Sequence, residues 1–132
     1  MKTKIIVLAL FLGFTLLNCE DKKNNPVTVV SVEEMDTLLS LENVQLIDVR
    51  TKDEYDKGHI KKSQNIDFNS PTFDTDIIGL DKEKPVILYC QRGGRSAKCA
   101  EKMQKAGFKK IYDLKGGFSK WQFKTLDLKV KS

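Results

Sequence analysis

The run Pro85-Val86-Ile87-Leu88-Tyr89-Cys90, followed at once by Gln91-Arg92-Gly93-Gly94-Arg95, constrains this chain more than any other segment. Near-continuous apolar character suits a central parallel strand buried on both faces. The next stretch, Ser96 to Ala106, reads as a helix stopped by Gly107. Its spacing puts Ala97, Ala100 and Met103 on one face and Lys98, Lys102 and Lys105 on another. Cys90 therefore sits where a strand hands over to a helix. In an open parallel sheet, ligands bind at that level, outside the carboxyl ends of the strands.

The same alternation runs along the chain. Val27 to Val30 is a β-branched run, and Ser31 with Glu34 has capping-box spacing before Val32, Met35, Leu38 and Leu39 recur at helical intervals. Val44 to Asp48 is a second strand. Thr51 and Glu54 repeat the capping pattern ahead of a short helix that Gly58 ends. Gln64 to Phe68 is a weaker strand, and Pro71 to Leu80 predicts a short helix with Phe73, Ile77 and Leu80 inward. Lys110 to Leu114 gives a fifth strand. Leu126, Leu128 and Val130 alternate with period two, which predicts an added edge strand. The expected class is α/β, with a central, mainly parallel five-stranded sheet covered by helices on both faces.

The loop after Cys90 explains itself chemically. A thiol near a helix N-terminus is biased toward thiolate, and Arg92 and Arg95 add to that bias. Gly93 and Gly94 permit tight curvature that turns successive N–H groups inward as an anion nest. Such a loop cradles a thiolate, a persulfide or an oxyanion without a titrating base.

Cys-x4-Arg between a strand and a helix, with Leu46-Ile47-Asp48-Val49-Arg50, Glu54-Tyr55 and Gly58-His59-Ile60 upstream, resembles the rhodanese-like domain. Ala106-Gly107-Phe108, Leu114-Lys115-Gly116-Gly117-Phe118 and Trp121 extend the resemblance downstream. Lys61-Lys62 replaces a common proline, and Gln91 and Arg92 differ from the usual loop residues. The resemblance implies sulfur transfer through a Cys90 persulfide, from thiosulfate or a related small anionic donor to a thiol or protein acceptor, or to cyanide. It implies that Gln91, Arg92, Gly93, Gly94, Arg95 and Ser96 bind the substrate, with Asp48 and Arg50 as possible supporting residues and no cofactor.

Three other readings stay open. Phosphatases and arsenate reductases place five residues between Cys and Arg, whereas four intervene here, which favours a cavity for one sulfur over one for a tetrahedral oxyanion. A non-turnover persulfide carrier and a binding module on the same fold are the other two. Cys99 is expected to be a small, partly buried helix residue, not a resolving thiol, and His59 a structural residue, since no metal-ligand cluster surrounds it. Arg50 and Glu54, four apart, are candidates to pair. Gly116-Gly117 should shape a tight turn under the active loop, and Trp121 should join the core.

Residues 1–18, read as a lipoprotein-type signal peptide, combine a basic start with an uncharged run from Ile5 to Leu17, and with the next residue they form Leu16-Leu17-Asn18-Cys19, which resembles a lipobox. The run suits a secretory signal better than a membrane span. Cleavage before Cys19 and lipidation of its thiol would leave residues 19–26 as a polar tether and 27–132 as the domain, exported, membrane-anchored and facing the periplasm. The alternative is a soluble periplasmic or secreted protein. Losing Lys2 and Lys4 takes the formal charge from +5 to +3, too mild to argue for nucleic acid. A single domain of this kind needs no partner to close its core, so a monomer is expected.

Overall fold

A computed structural model of the chain describes residues 25–41 and 43–131, the last five as backbone alone. Five parallel strands form one sheet: β1 (Val27–Val30), β2 (Gln45–Asp48), β3 (Gln64–Asn65), β4 (Val86–Tyr89) and β5 (Ile111–Leu114). Their order across the sheet is β1-β5-β4-β2-β3. The connecting helices are α1 (Val32–Leu41), α2 (Lys52–Asp56), α3 (Phe73–Ile78) and α4 (Gly94–Lys105), and α5 (Gly117–Lys131) follows the last strand. Among the described residues no helix is long and apolar enough to cross a membrane.

This order locates the site. The chain leaves β2 toward the β3 edge and leaves β4 in the opposite direction, toward β5. Adjacent strands with diverging exits leave a crevice at their carboxyl ends. Asp48 ends β2 and pairs in register with Tyr89, so Val49-Arg50 and Cys90-Gln91 emerge side by side, and Arg50 meets Gln91.

All four residues of β4 are 0% exposed, which a strand can achieve only with helices on both faces. Val86, Leu88 and Cys90 pack with Ile47, Cys99, Ala100, Met103 and Ile111 on one face. Ile87 and Tyr89 pack with Val32, Met35, Leu114 and Phe118 on the other. Each such large apolar side chain contributes roughly 1.5–3 kcal/mol on burial. Local signals set the helix starts. Ser31 and Glu34 bond reciprocally, at 2.7 and 3.2 Å, and Thr51 with Glu54 completes a capping box.

Three expectations need correction. Leu126 to Val130 lies within α5, not in a strand: no Gly or Pro interrupts the chain after Gly117, so the helix runs on. Alternation over a few residues cannot outweigh an uninterrupted helix that is already nucleated. On α4 the buried set is Ser96, Cys99, Ala100 and Met103, and Ala97 is exposed. That helix starts at Gly94, two residues before Ser96. In α3, Phe73 and Ile77 are buried as expected, with Leu80 half-buried just beyond its end.

Candidate active site

Cys90 is 1% exposed, at the point where β4 gives way to the loop. The strand end is pinned from behind. The Tyr89 hydroxyl accepts from the Ile60 N–H at 3.1 Å and bonds Ser63 Oγ at 3.0 Å. This explains the Gly58-His59-Ile60 segment, whose turn closes with Ser63 N–H donating to the Ile60 carbonyl at 3.0 Å. Where a proline might have stood, Lys61-Lys62 builds that turn with Lys62 at φ +69°.

Gly93 takes φ +119°, a conformation that side chains resist, and so caps α4. Its N–H then donates to Cys90 Sγ at 3.0 Å. The Ser96 hydroxyl lies 3.6 Å from the sulfur and itself donates to the Gly93 carbonyl at 3.2 Å. Burial alone would raise the thiol's pKa. The amide and hydroxyl of Ser96, with the amides of Gly93 and Arg92, outweigh it and bring Cys90 below its ordinary value.

A second helix start holds the back of the loop. The Phe118 and Ser119 N–H groups of α5 donate to the carbonyls of Cys90 and Gln91 at 2.8 and 3.1 Å. The approach is so close that a Cβ on Gly117 would stand 2.4 Å from the Cys90 carbonyl oxygen. Gly117 also has φ +59°, so this residue is glycine for two reasons. The expected turn under the active loop is thus present at Gly116-Gly117, both with positive φ.

The candidate substrate-binding residues divide into four groups. Gly93, Ser96 and the Arg92 amide face the sulfur. Gln91 is tied back, accepting from Arg50 Nη1 at 3.2 Å and donating to Ser119 Oγ at 2.9 Å. Gly94 and the Arg92 side chain are exposed. Arg95 grips Glu54 with two bonds, of 2.6 and 2.8 Å, which hold the Glu54 carboxyl at about 2 despite its partial burial. Most of the Arg95 charge is therefore committed to Glu54, leaving Arg92 as the more available cation.

Arg50 does not pair with Glu54. The guanidinium is 2% exposed and forks onto Asp48, with Nη2 2.7 Å from Oδ2 and Nε 3.1 Å from both oxygens. It also donates to the Gly58 carbonyl at 2.7 Å and lies over the Phe118 ring at 4.1 Å. Asp48 and Arg50 thus brace β2, the Gly58 turn, Gln91 and α5 against one another. A cavity of about 200 Å³ opens beside this brace, with Arg50, Lys57, Gln91 and Gln122 in its wall.

Cys99 is fully buried, and burial pushes its thiol up to about 12. Both it and Cys90 are free thiols. His59 stacks on Tyr55 with centroids 3.7 Å apart, and Nδ1 meets the Tyr55 carbonyl at 2.9 Å. Trp121 packs on Phe118 at 5.5 Å and is half-buried. Among the described residues no group of three or more His, Cys, Asp or Glu could hold a metal ion. Cys19 lies outside the described residues. The sequence reading missed Asp113, 92% buried on β5, and Ser119, which anchors Gln91. Asp113 passes for the outward residue of an alternating strand, and Ser119 has no signal beyond its place after the Gly-Gly turn.

An anion-cradling Cys loop at the switch point of a parallel sheet defines a class, and sequence comparison agrees with it. Residues 31–124 match the model of the rhodanese-like domain, and the chain belongs to that family. It is 34% identical over 119 residues to the uncharacterized protein YqhL of Bacillus subtilis, covering 90% of this chain and 93% of that protein. It is 33% identical over 85 residues to the thiosulfate sulfurtransferase GlpE of Coxiella burnetii, covering 64% of this chain and 78% of the relative. The crystal structure of a rhodanese-like domain protein from Staphylococcus aureus superposes with a TM-score of 0.64 at 26% identity. That match covers 71% of this chain and 90% of the other.

Proposed function

We propose that this protein is a sulfurtransferase that carries sulfane sulfur as a persulfide on Cys90. The observation that carries the reading is the Gly93 N–H at 3.0 Å from Cys90 Sγ, in a loop whose Arg92 and Ser96 amides also act on the sulfur. A thiolate so held attacks the outer sulfur of thiosulfate. The new S–S bond takes the place of the bond to sulfite, which departs with its electron pair: Cys–S⁻ and S2O3²⁻ give Cys–S–S⁻ and SO3²⁻. An acceptor thiolate then attacks the terminal sulfur, forms its own persulfide and returns Cys90 as thiolate.

The loop's donors are fixed before the reaction, so they stabilise negative sulfur with little rearrangement. Arg92 attracts the anionic donor, and Lys57 in the wall of the neighbouring cavity is a second exposed cation, while Arg50 there is neutralised by Asp48. No residue is needed as a general base, because the attacking group is already biased toward thiolate.

The test is thiosulfate-dependent sulfur transfer to a thiol or cyanide, with mass spectrometry for one added sulfur on the Cys90 peptide. Repeated turnover with a persulfide intermediate is expected. Transfer that survives Cys90→Ser, or phosphate-ester hydrolysis without thiosulfate activity, would overturn the reading. A single transfer without turnover would make the protein a carrier.

We further propose export and lipidation at Cys19, with residues 20–26 as the tether of a monomeric domain at the periplasmic face. The motif around Cys19 and the uncharged run before it support this. Acyl labelling should disappear in Cys19→Ala, and labelling that persists would remove the anchor from the account.

A further inference from the structure

The Asp113 carboxyl has no part in the chemistry above, yet it lies beneath the reactive loop. It sits on β5, in register with Val29 of β1 and Leu88 of β4, two positions from Ile111 on the face that α4 covers. The residue is 8% exposed, and Oδ1 is buried without a hydrogen-bond partner. Leaving such an oxygen unsatisfied is costly, and more so when it is charged.

Ser96, in the first turn of α4, stands next to it. Burial raises the Asp113 pKa, and the Ser96 hydroxyl opposes that rise. The same hydroxyl donates to the Gly93 carbonyl at 3.2 Å and lies 3.6 Å from Cys90 Sγ. A hydroxyl has one proton to give. Gly93, Asp113 and the Cys90 sulfur therefore compete for it.

We propose that Asp113 is a positioning residue for Cys90 that acts through Ser96: as a carboxylate it draws the Ser96 proton away from the sulfur, and as a neutral acid it leaves that proton for the sulfur. Repulsion between carboxylate and thiolate in a poorly solvated site has the same sign. Ionised Asp113 thus loosens the loop's hold on negative sulfur, which suits a residue that must give its sulfur up.

The other charged groups do not duplicate this role. Cys99 of α4 faces Asp113 but stays a thiol, with Lys102 acting on it. Arg95 feels the Cys90 charge but is bonded to Glu54. Val29 and Leu88, the register partners on β1 and β4, do not titrate.

The inference rests on the sulfur-carrying reading of Cys90, but its test reads the thiol itself and stands if sulfur transfer fails. The full-length chain is alkylated with iodoacetamide across a pH series, and the initial rate is read on the Cys90 peptide with the Cys99 peptide as internal reference. In Asp113→Asn the Cys90 midpoint should fall by about half a pH unit, which is about threefold more thiolate well below the midpoint. In a Ser96→Ala background that shift should shrink by half or more. An unchanged midpoint in Asp113→Asn would overturn the proposal. So would an equal shift in both backgrounds, since the charge would then act without the hydroxyl. If Asp113→Asn does not fold, Asp113→Ser is read against the same two outcomes.

Discussion

Cys90 and Cys99 are nine positions apart in one β-strand–helix unit, and neither exposes more than 1% of its surface. Their acidities nevertheless diverge. Cys99, on the inner face of α4, meets apolar neighbours and the Asp113 charge, and its thiol is pushed up to about 12. Cys90, before the start of the same helix, meets N–H groups with no intrahelical partner and moves the other way. Burial decides reactivity only after the polarity of the burying groups is counted. The reactive thiol is the one wrapped in backbone.

The largest expected contrast is between the two serine variants. Cys90→Ser should reduce thiosulfate-dependent transfer by more than about a thousandfold, whereas Cys99→Ser should keep it within about twofold. Comparable losses in both would erase the distinction drawn between them. Arg50→Met comes next. It strands Asp48 as a buried, unpaired charge and releases Gln91, so chemical denaturation should show a loss of about 3–5 kcal/mol. The Cys90 alkylation midpoint should rise toward that of Cys99 in the same variant, because the amide cradle loses its brace.

Gly117→Ala tests the cradle from behind. The new Cβ would overlap the Cys90 carbonyl and must also adopt φ +59°, a combined cost of about 2–4 kcal/mol in a thermal or urea melt. The smallest effect is at Glu54→Gln, about 1 kcal/mol at neutral pH after allowance for the partial exposure of the pair. Its sign with pH is specific. Native Glu54 is held at about 2, below its ordinary 4.5, so the stabilisation is present above 4.5 and is lost as the pH falls toward 2. Denaturation curves of wild type and variant should therefore converge in acid. A gap that persists at pH 2 would assign the effect to packing.

Much of this was legible in the sequence because period and punctuation are local. The β4 run, the Thr51–Glu54 box and the glycines around the loop each carry their own physical signal. Partner choice is not local. Arg50 and Glu54 have helical spacing, but Arg50 precedes α2 and turns back to Asp48, while Glu54 meets Arg95 from 41 positions away. A burial stripe on α4 is ambiguous by one residue until the sheet beneath fixes its rotation, which is why Ser96 faces inward and Ala97 faces solvent. The family motifs compensated where periodicity failed, since Leu114 to Phe118 marked a turn that the period-two ending of the chain did not. Asp113 stayed hidden because an acid in a strand reads as solvent-facing.

The bond from Ser119 N–H to the Gln91 carbonyl has an electrical consequence. That carbonyl and the Arg92 N–H are the two ends of one peptide unit, and the Arg92 N–H is among the donors that acidify Cys90. A carbonyl already accepting a hydrogen bond makes its own N–H a stronger donor. The first turn of α5 is thus wired in series with the sulfur, although no atom of Ser119 is among the groups that acidify it. Anything that presses on or withdraws that last helix will register at Cys90 as a change in acidity.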